Sequence, residues 1–162
     1  MKQELMDAIL ETPVIAAVKD DAGLHNALTN ENIRVVFVLY GDICNISSIV
    51  RRIHEAGRFA VVHVDLIAGL AGKEVAVDFI RNTTEADGII STRQSFIRRA
   101  KELGLAAILL RGGEQKSESR IFAKAKVPVL TGGLIADKED VMAALEAGAT
   151  AISTTNQAVW DM

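Results

Sequence analysis

Short runs of apolar residues recur along the chain and are separated by stretches with helical periodicity. The runs are continuous, rich in valine and isoleucine, and seven in number: 13–18, 34–40, 59–66, 88–92, 105–110, 127–131 and 149–154. Continuous apolar runs are typical of strands that are buried on both faces, as in parallel sheets. We therefore predict seven parallel strands in an α/β fold.

Three of the intervening stretches predict helices that end at a glycine. The stretch 46–57 carries one apolar face and ends at Gly57, and 95–104 and 138–148 repeat this plan. Strand–helix alternation builds either a closed (β/α) barrel of the TIM type or an open doubly wound sheet. A full TIM barrel has eight strands, so a count of seven predicts a barrel that lacks one βα unit.

Composition narrows the class of protein. The chain has 162 residues, of which 49% are hydrophobic and 24% are charged. This length and composition predict a single globular domain over residues 1–162 and exclude a disordered chain. The net charge of −3 does not mark a nucleic-acid binder. Cys44 is the single cysteine, so no disulfide or cysteine-based zinc site is expected. No signal peptide or membrane span is evident, and we expect a cytoplasmic protein.

Residues that can bind an anion lie at the ends of two neighbouring apolar runs. Gly132 and Gly133 directly follow one run, and Ser153, Thr154 and Thr155 close the next. Glycine lets backbone N–H groups approach an anion, hydroxyls add hydrogen bonds, and a helix that begins near residue 157 would add its dipole. The loops after strands 7 and 8 of TIM barrels often bind phosphate in this way. The alternative is a tight turn without a ligand.

His63 and Asp65 lie two residues apart in a predicted strand, so both are expected on one face. They are candidates for hydrogen bonds to a ligand, for acid–base catalysis, or for a buried pair that bond each other. Two such ligands without a third make a weak case for a metal, and no metal is predicted. The catalytic alternative is a barrel isomerase or aldolase that acts on a small phosphorylated substrate.

Further polar residues close other runs. Ser91 and Arg93 are candidate ligand contacts, with Thr92 as a helix N-cap in the alternative interpretation. Lys19 follows the first run and is a candidate cation for the same site, or else a solvated lysine. No G-x-G-x-x-G sequence follows the first run, so no dinucleotide cofactor is predicted.

Basic side chains cluster on two predicted helices. A solvated surface is the default interpretation, and an RNA-binding surface is the alternative. The residues concerned are Arg51, Arg52, Arg98, Arg99 and Lys101.

Four segments carry a resemblance that extends over nearly the whole chain, and they lie at 13–19, 63–70, 87–93 and 132–160. The most specific are His-Val-Asp-Leu-Ile-Ala-Gly-Leu at 63–70 and Ile-Ile-Ser-Thr-Arg at 89–93. This set resembles the glycerol-3-phosphate responsive antiterminators, which regulate bacterial glycerol-uptake operons.

The resemblance implies a phosphate-binding (β/α) barrel that is not an enzyme. It implies glycerol-3-phosphate as effector and leader mRNA of glycerol-utilisation genes as partner, with binding that prevents early transcription termination. It places Gly132, Gly133, Ser153 and Thr154 on phosphate-binding loops. A homo-oligomer is compatible with the sequence.

The chain departs from the family pattern after the fifth run. Members usually continue there through a Phe-x-x-Asp-Ser sequence, a helix, and a strand that ends in Glu-x-x-Pro-Gly. Here residues 109–114 lead almost directly into a predicted helix at 119–124. One βα unit, about 30 residues in a barrel of this type, is therefore expected to be absent near residues 110–112. A protein that has lost its function is a further alternative.

Overall fold

The structure, a computed structural model, describes residues 2–12, 14–110, 130, 131, 139, 142 and 151–161. The five helices with assigned bounds are α1 (Lys2–Glu11), α2 (Asp21–Thr29), α3 (Ile46–Glu55), α4 (Val75–Thr83) and α5 (Gln94–Glu102). The strands are β1 (Val14–Val18), β2 (Val35–Val38), β3 (Phe59–His63), β4 (Gly88–Ser91), β5 (Ala106–Leu109), β6 (Leu130–Thr131) and β7 (Ala151–Thr154). Seven strands in the described part of the chain match the predicted number.

All seven strands form one parallel sheet, in the order β5-β4-β3-β2-β1-β7-β6. Strands that follow one another in the chain are neighbours, and the last strand returns to pair with β1. This is the strand order of a TIM barrel opened between β5 and β6, and it excludes the doubly wound alternative, in which the order reverses at β1. The fold is therefore α/β with a barrel-type parallel sheet.

Two apolar clusters lie on opposite faces of the sheet. The outer cluster joins strand residues such as Val36 and Val38 to apolar side chains of α2–α5. The inner cluster contains the alternate strand residues, among them Phe37, Val61 and Ile90, and three residues of α1. Because α1 leads directly into β1, it covers the inner face near the amino ends of the strands. The carboxyl ends remain for a functional site.

Local chain reversals follow the glycine pattern. Gly57 and Gly104 adopt φ values of 74° and 77° directly after α3 and α5, a conformation that favours glycine at the end of a helix. These two predicted helix ends are confirmed within one to two residues. Gly148 and most of the predicted helix 138–148 lie outside the described residues.

The predicted third strand extends too far. β3 ends at His63, and residues Val64–Leu66 form a short 3-10 helix instead. The apolar run 59–66 therefore contains a strand and a turn, because Asp65 takes its hydrogen bonds from the end of β4 rather than continuing the sheet. Among the described residues no helix is both long and apolar enough to cross a membrane.

A buried carboxylate joins the amino ends of β3 and β4. Asp87, immediately before β4, is 8% exposed. Its Oδ2 accepts a 2.8 Å hydrogen bond from the Ala60 N–H and lies 2.8 Å from His54 Nε2. One oxygen atom thus links α3, β3 and the loop before β4, at the end of the sheet opposite the candidate site.

Candidate functional site

Most of the predicted site residues lie at the carboxyl ends of the strands. Lys19 follows β1, His63 ends β3, Ser91 ends β4 and Ser153 lies in β7. Because all seven strands are parallel, these ends share one rim of the sheet. TIM-type barrels build their ligand sites at this rim.

Asp65 connects the ends of β3 and β4. Its Oδ1 accepts from the Ser91 hydroxyl at 2.9 Å, and its Oδ2 accepts from the Thr92 N–H at 2.8 Å and the Thr92 hydroxyl at 2.9 Å. Burial raises the pKa of Asp65, but the hydrogen bonds from Thr92 and Ser91 outweigh burial, so the pKa lies below its ordinary value. Asp65 is therefore an ionised acceptor that fixes two strand ends.

His63 has a different environment. It is 7% exposed, and its Nδ1 is sealed from solvent without a hydrogen-bond partner. Burial lowers the pKa of the imidazole, against an opposing effect of the Asp65 charge, so the environment favours the neutral ring. The alternative in which His63 and Asp65 bond each other is wrong, because the carboxylate is bonded to Ser91 and Thr92. The shared strand face is also wrong, since the strand ends at His63.

Ser91 and Arg93 are held by contacts within the protein. Ser91 is fully buried, and its hydroxyl also accepts from the Arg93 N–H at 3.1 Å. Arg93 Nη1 donates to the Gly72 carbonyl at 2.8 Å, and the guanidinium lies 5.2 Å from the centre of the Phe96 ring. A methyl group on Gly72 would lie only 2.4 Å from Nη1, so a side chain there would displace Arg93. Arg93 thus holds the loop between β3 and α4.

The alternative role of Thr92 as a helix N-cap is wrong. The N-cap of α5 is Arg93, which makes no side-chain cap, and the Thr92 hydroxyl donates to Asp65 instead.

The β7 side of the site is described in part. Ser153 pairs with Ile15 of β1 and is half-buried, and Thr155 is exposed. Thr154 is 2% exposed, and its hydroxyl accepts from the Asn156 N–H at 3.0 Å. The Thr154 hydroxyl is therefore engaged in the turn, whereas Ser153 and Thr155 remain nearer to solvent.

The predicted glycine pair cannot be compared with the structure, and the predicted helix near residue 157 is not formed. Gly132 and Gly133 lie outside the described residues, although β6 ends at Thr131 beside β7. In place of a helix beginning near Gln157, the chain forms a three-residue 3-10 helix whose Asn156 cap accepts from the Ala158 N–H. So short a segment does not supply the predicted helix dipole.

Lys19 is a cation at the end of β1 on this rim. It is exposed at the end of β1, between β2 and β7, and its ammonium makes no ion pair with any described residue. A charge without a partner beside Ser153 on the neighbouring strand suits an anionic group. In the described part of the chain, no cluster of three or more His, Cys, Asp or Glu could hold a metal ion.

The basic residues divide into two groups. Arg52 pairs with Asp21, and Arg99 pairs with Asp78 and Glu102, so part of their charge is neutralised. The remaining three are exposed and belong to α3 and α5, which the chain order separates by α4: Arg51, Arg98 and Lys101. The unpaired cations among the described residues are therefore distributed over two helices.

The loops after β2 and β3 are joined, which the sequence did not reveal. The Ile43 N–H donates to the Ala68 carbonyl at 3.0 Å, and the Ala68 N–H donates to the Gly41 carbonyl at 3.0 Å. Gly41 and Gly69 adopt φ values of 107° and 93° that permit this approach. The two glycines are the sequence feature that could have indicated this loop contact, but a glycine in a loop does not identify the segment that it approaches.

Comparison with known proteins supplies the family. Residues 14–111 and 112–160 match the family described as glycerol-3-phosphate responsive antiterminator. The uncharacterized protein YgcP of Escherichia coli K12 is 38% identical over 185 aligned positions, which cover 98% of this chain and 96% of YgcP. The alignment is longer than the 162 residues of this chain.

Two solved structures are similar in fold. A glycerol uptake operon antiterminator regulatory protein from Listeria monocytogenes has a TM-score of 0.83 and 25% identity, with 91% of this chain and 94% of that chain covered. A glycerol uptake operon antiterminator-related protein from Thermotoga maritima has a TM-score of 0.78 and 24% identity, with 93% and 99% covered.

The barrel-type parallel sheet, with polar residues at its carboxyl rim, defines an α/β protein of the TIM type. The family match spans nearly the whole chain, and the chain belongs to the glycerol-3-phosphate responsive antiterminator family. The family resemblance inferred from the sequence is confirmed.

Proposed function

We propose that this protein binds glycerol-3-phosphate at the carboxyl rim of its sheet and then binds leader mRNA of glycerol-utilisation genes, which prevents early transcription termination. The observation that carries the proposal is the family match over residues 14–111 and 112–160. The Listeria protein of the same architecture is a glycerol uptake operon antiterminator regulatory protein, which supports the same role.

The phosphate group is assigned to the β1, β6 and β7 side of the rim. Lys19 contributes a positive charge that no described residue pairs, and Ser153 and Thr155 contribute hydroxyls in and directly after the strand next to β1. Gly132 and Gly133 follow β6 in sequence and would add backbone N–H donors. Charge-assisted hydrogen bonds of this kind are the strong contacts in phosphate sites.

The regulatory step is a coupling between two binding events. The ligand stabilises one arrangement of the rim loops, and RNA binds that arrangement more tightly. A coupling free energy of about 1–3 kcal/mol changes RNA affinity roughly 5- to 150-fold, which is enough for regulation. Arg51, Arg98 and Lys101 are the candidate RNA contacts, because their charges have no acidic partner among the described residues.

A gel-shift titration of the leader RNA with and without glycerol-3-phosphate tests the regulatory proposal. We expect at least about fivefold tighter RNA binding with the ligand, and no change with glycerol or inorganic phosphate alone. Equal RNA affinity with and without glycerol-3-phosphate at low salt would contradict it. The Lys19→Met variant should lose the ligand response and keep basal RNA binding, and Lys73→Met, an exposed lysine of the β3–α4 loop, serves as the control.

We also infer that one βα unit is absent between residues 111 and 112. The two family-matched segments meet at this junction, the alignment with YgcP is longer than the chain, and β5 and β6 are the two outer strands of the sheet. Insertion of the corresponding YgcP segment between Arg111 and Gly112 should raise the midpoint of thermal unfolding, because two strand edges gain partners. An unchanged or lower midpoint in a folded chimera would contradict this inference.

A further inference from the structure

His63 is a buried polar residue on the inner face of the sheet. Val61, two residues earlier in β3, belongs to the inner apolar cluster, so His63 shares that face. In the register of the sheet His63 lies opposite Ile90, which lies opposite Ile108. An imidazole therefore stands in an otherwise apolar part of the inner wall, at the end of the strand that faces the rim.

The two ring nitrogens have different surroundings. Nδ1 is sealed from solvent and has no hydrogen-bond partner. Nε2 makes no hydrogen bond to any described residue either, but it is not among the sealed atoms. The opposite face of the sheet is filled by the apolar side chains of α2–α5, so the ring lies on the side of the barrel interior. A polar group that is more than nine-tenths buried and has no partner costs free energy, and such groups often mark a ligand site.

Charge decides which part of a ligand can occupy this position. Asp65 is close enough for its charge to act on the imidazole, and three donated hydrogen bonds keep that carboxylate ionised. A phosphate beside His63 would be repelled by Asp65. A neutral imidazole has one donor and one acceptor, which match a hydroxyl group.

The position of the proposed phosphate site fixes the orientation of the bound ligand. Lys19 directly follows β1, and β2 alone separates β1 from β3. Two strand spacings amount to about 10 Å, and the lysine side chain extends over part of this distance. A phosphate on the Lys19 side thus leaves the neutral end of a short polyol phosphate directed towards β3.

We propose that His63 forms a hydroxyl-recognition subsite, in which Nε2 hydrogen-bonds a hydroxyl of the polyol while the phosphate lies on the Lys19 and Ser153 side. This inference rests on the proposed function and adds the orientation of the ligand and the basis of its selectivity. The subsite distinguishes a polyol phosphate from a phosphate ester that lacks hydroxyls.

Titration calorimetry with glycerol-3-phosphate, propyl phosphate and inorganic phosphate tests the subsite. We expect the native protein to bind glycerol-3-phosphate about three- to tenfold more tightly than propyl phosphate, the range of one ordinary hydrogen bond. His63→Leu should abolish this difference, because only glycerol-3-phosphate has a hydroxyl that loses its hydrogen bond to the ring. His63→Gln, which keeps a polar atom near the position of Nε2, should restore part of it. His25→Gln, on the exposed surface of α2, is the matched control.

The possible results separate the two proposals. If the native protein binds phosphate esters without distinguishing them, the subsite is wrong and the anion site stands. If His63→Leu weakens all three ligands equally, or none, the subsite is also wrong. If the native protein binds none of the ligands, both proposals fail.

A measurement on the native protein is independent of any folding defect in the variants. The ¹⁵N chemical shifts of the His63 ring should change on addition of glycerol-3-phosphate and stay unchanged with inorganic phosphate. Equal changes with both ligands, or none with glycerol-3-phosphate, would overturn the subsite.

Discussion

Replacement of Asp65 by alanine removes the three hydrogen bonds that join the end of β3 to the end of β4. The Ser91 hydroxyl loses its carboxylate acceptor, and the Thr92 N–H and hydroxyl lose theirs. Ser91 is fully buried, so water does not readily replace the lost acceptor. Thr92 is exposed, and water compensates part of its loss.

The magnitude follows from these surroundings. A hydrogen bond to a charged group contributes about 1.5–3 kcal/mol, and the lower end applies to the Ser91 bond because Asp65 is only half-buried. The two solvent-exposed Thr92 bonds contribute about 0.5 kcal/mol each. Asp65→Ala should therefore lower the free energy of unfolding by about 2–3 kcal/mol, or the midpoint of thermal unfolding by roughly 5–10 °C in a domain of this size.

Chemical and thermal unfolding at pH 7 measure this effect. Asp65→Asn keeps one acceptor oxygen and should lose about 1 kcal/mol. Glu74→Ala, an exposed acid near the same rim without a side-chain hydrogen bond, should change stability by less than about 0.5 kcal/mol. An Asp65→Ala variant as stable as Glu74→Ala would refute the assignment of Asp65 as the link between the strand ends.

The pH dependence has a definite sign. The pKa of Asp65 is lower in the folded protein than in the unfolded chain, so its contribution is fully present above the unfolded value of about 4. The contribution is lost as the pH falls through the folded pKa. The stability difference between the native protein and Asp65→Asn should therefore be constant near neutrality and shrink below about pH 4.

Three further predictions concern other parts of the molecule. Asp87→Ala should lower the free energy of unfolding in urea by about 2–4 kcal/mol, since it leaves the buried Ala60 N–H without an acceptor. Glu85→Ala in the same loop should be nearly neutral, and a comparably small effect of Asp87→Ala would contradict the role of Asp87 as this acceptor. Gly57→Ala should lower the free energy of unfolding by about 1–2 kcal/mol because the φ of Gly57 is +74°, and Gly57→Asn should be less destabilising. Equal stability of the native protein and both variants would contradict the left-handed conformation at this position. Combined Arg51→Ala, Arg98→Ala and Lys101→Ala substitutions should reduce the magnitude of the slope of log RNA affinity against log salt by about 2. An unchanged slope would exclude these three residues as RNA contacts.

The arrangement of the strands could be predicted because burial on both faces leaves a continuous apolar run. Seven such runs predicted seven strands, and Gly57 and Gly104 correctly marked two helix ends. The helix α1 was not predicted. Its apolar residues Leu5, Ala8 and Ile9 are spaced as in a helix, but their partners on the inner face of the sheet are distant in sequence.

The candidate site was predictable in location but not in its contacts. Because the strand ends of a parallel sheet share one rim, the sequence was sufficient to predict that Lys19, His63 and Ser153 lie at the same rim. The partners of Asp65 could not be deduced, because a period of two assumes that the strand continues and the 3-10 helix interrupts it. Likewise, only the tertiary structure shows that the Thr154 hydroxyl is buried and bonded to the turn.

A crystal structure with bound glycerol-3-phosphate tests the central claim most directly. The account predicts phosphate density between the loop that contains Gly132 and Gly133 and residues 153–155, with the Lys19 ammonium directed towards it. Phosphate density at another position on the protein, or none at saturating ligand concentration, would contradict the account.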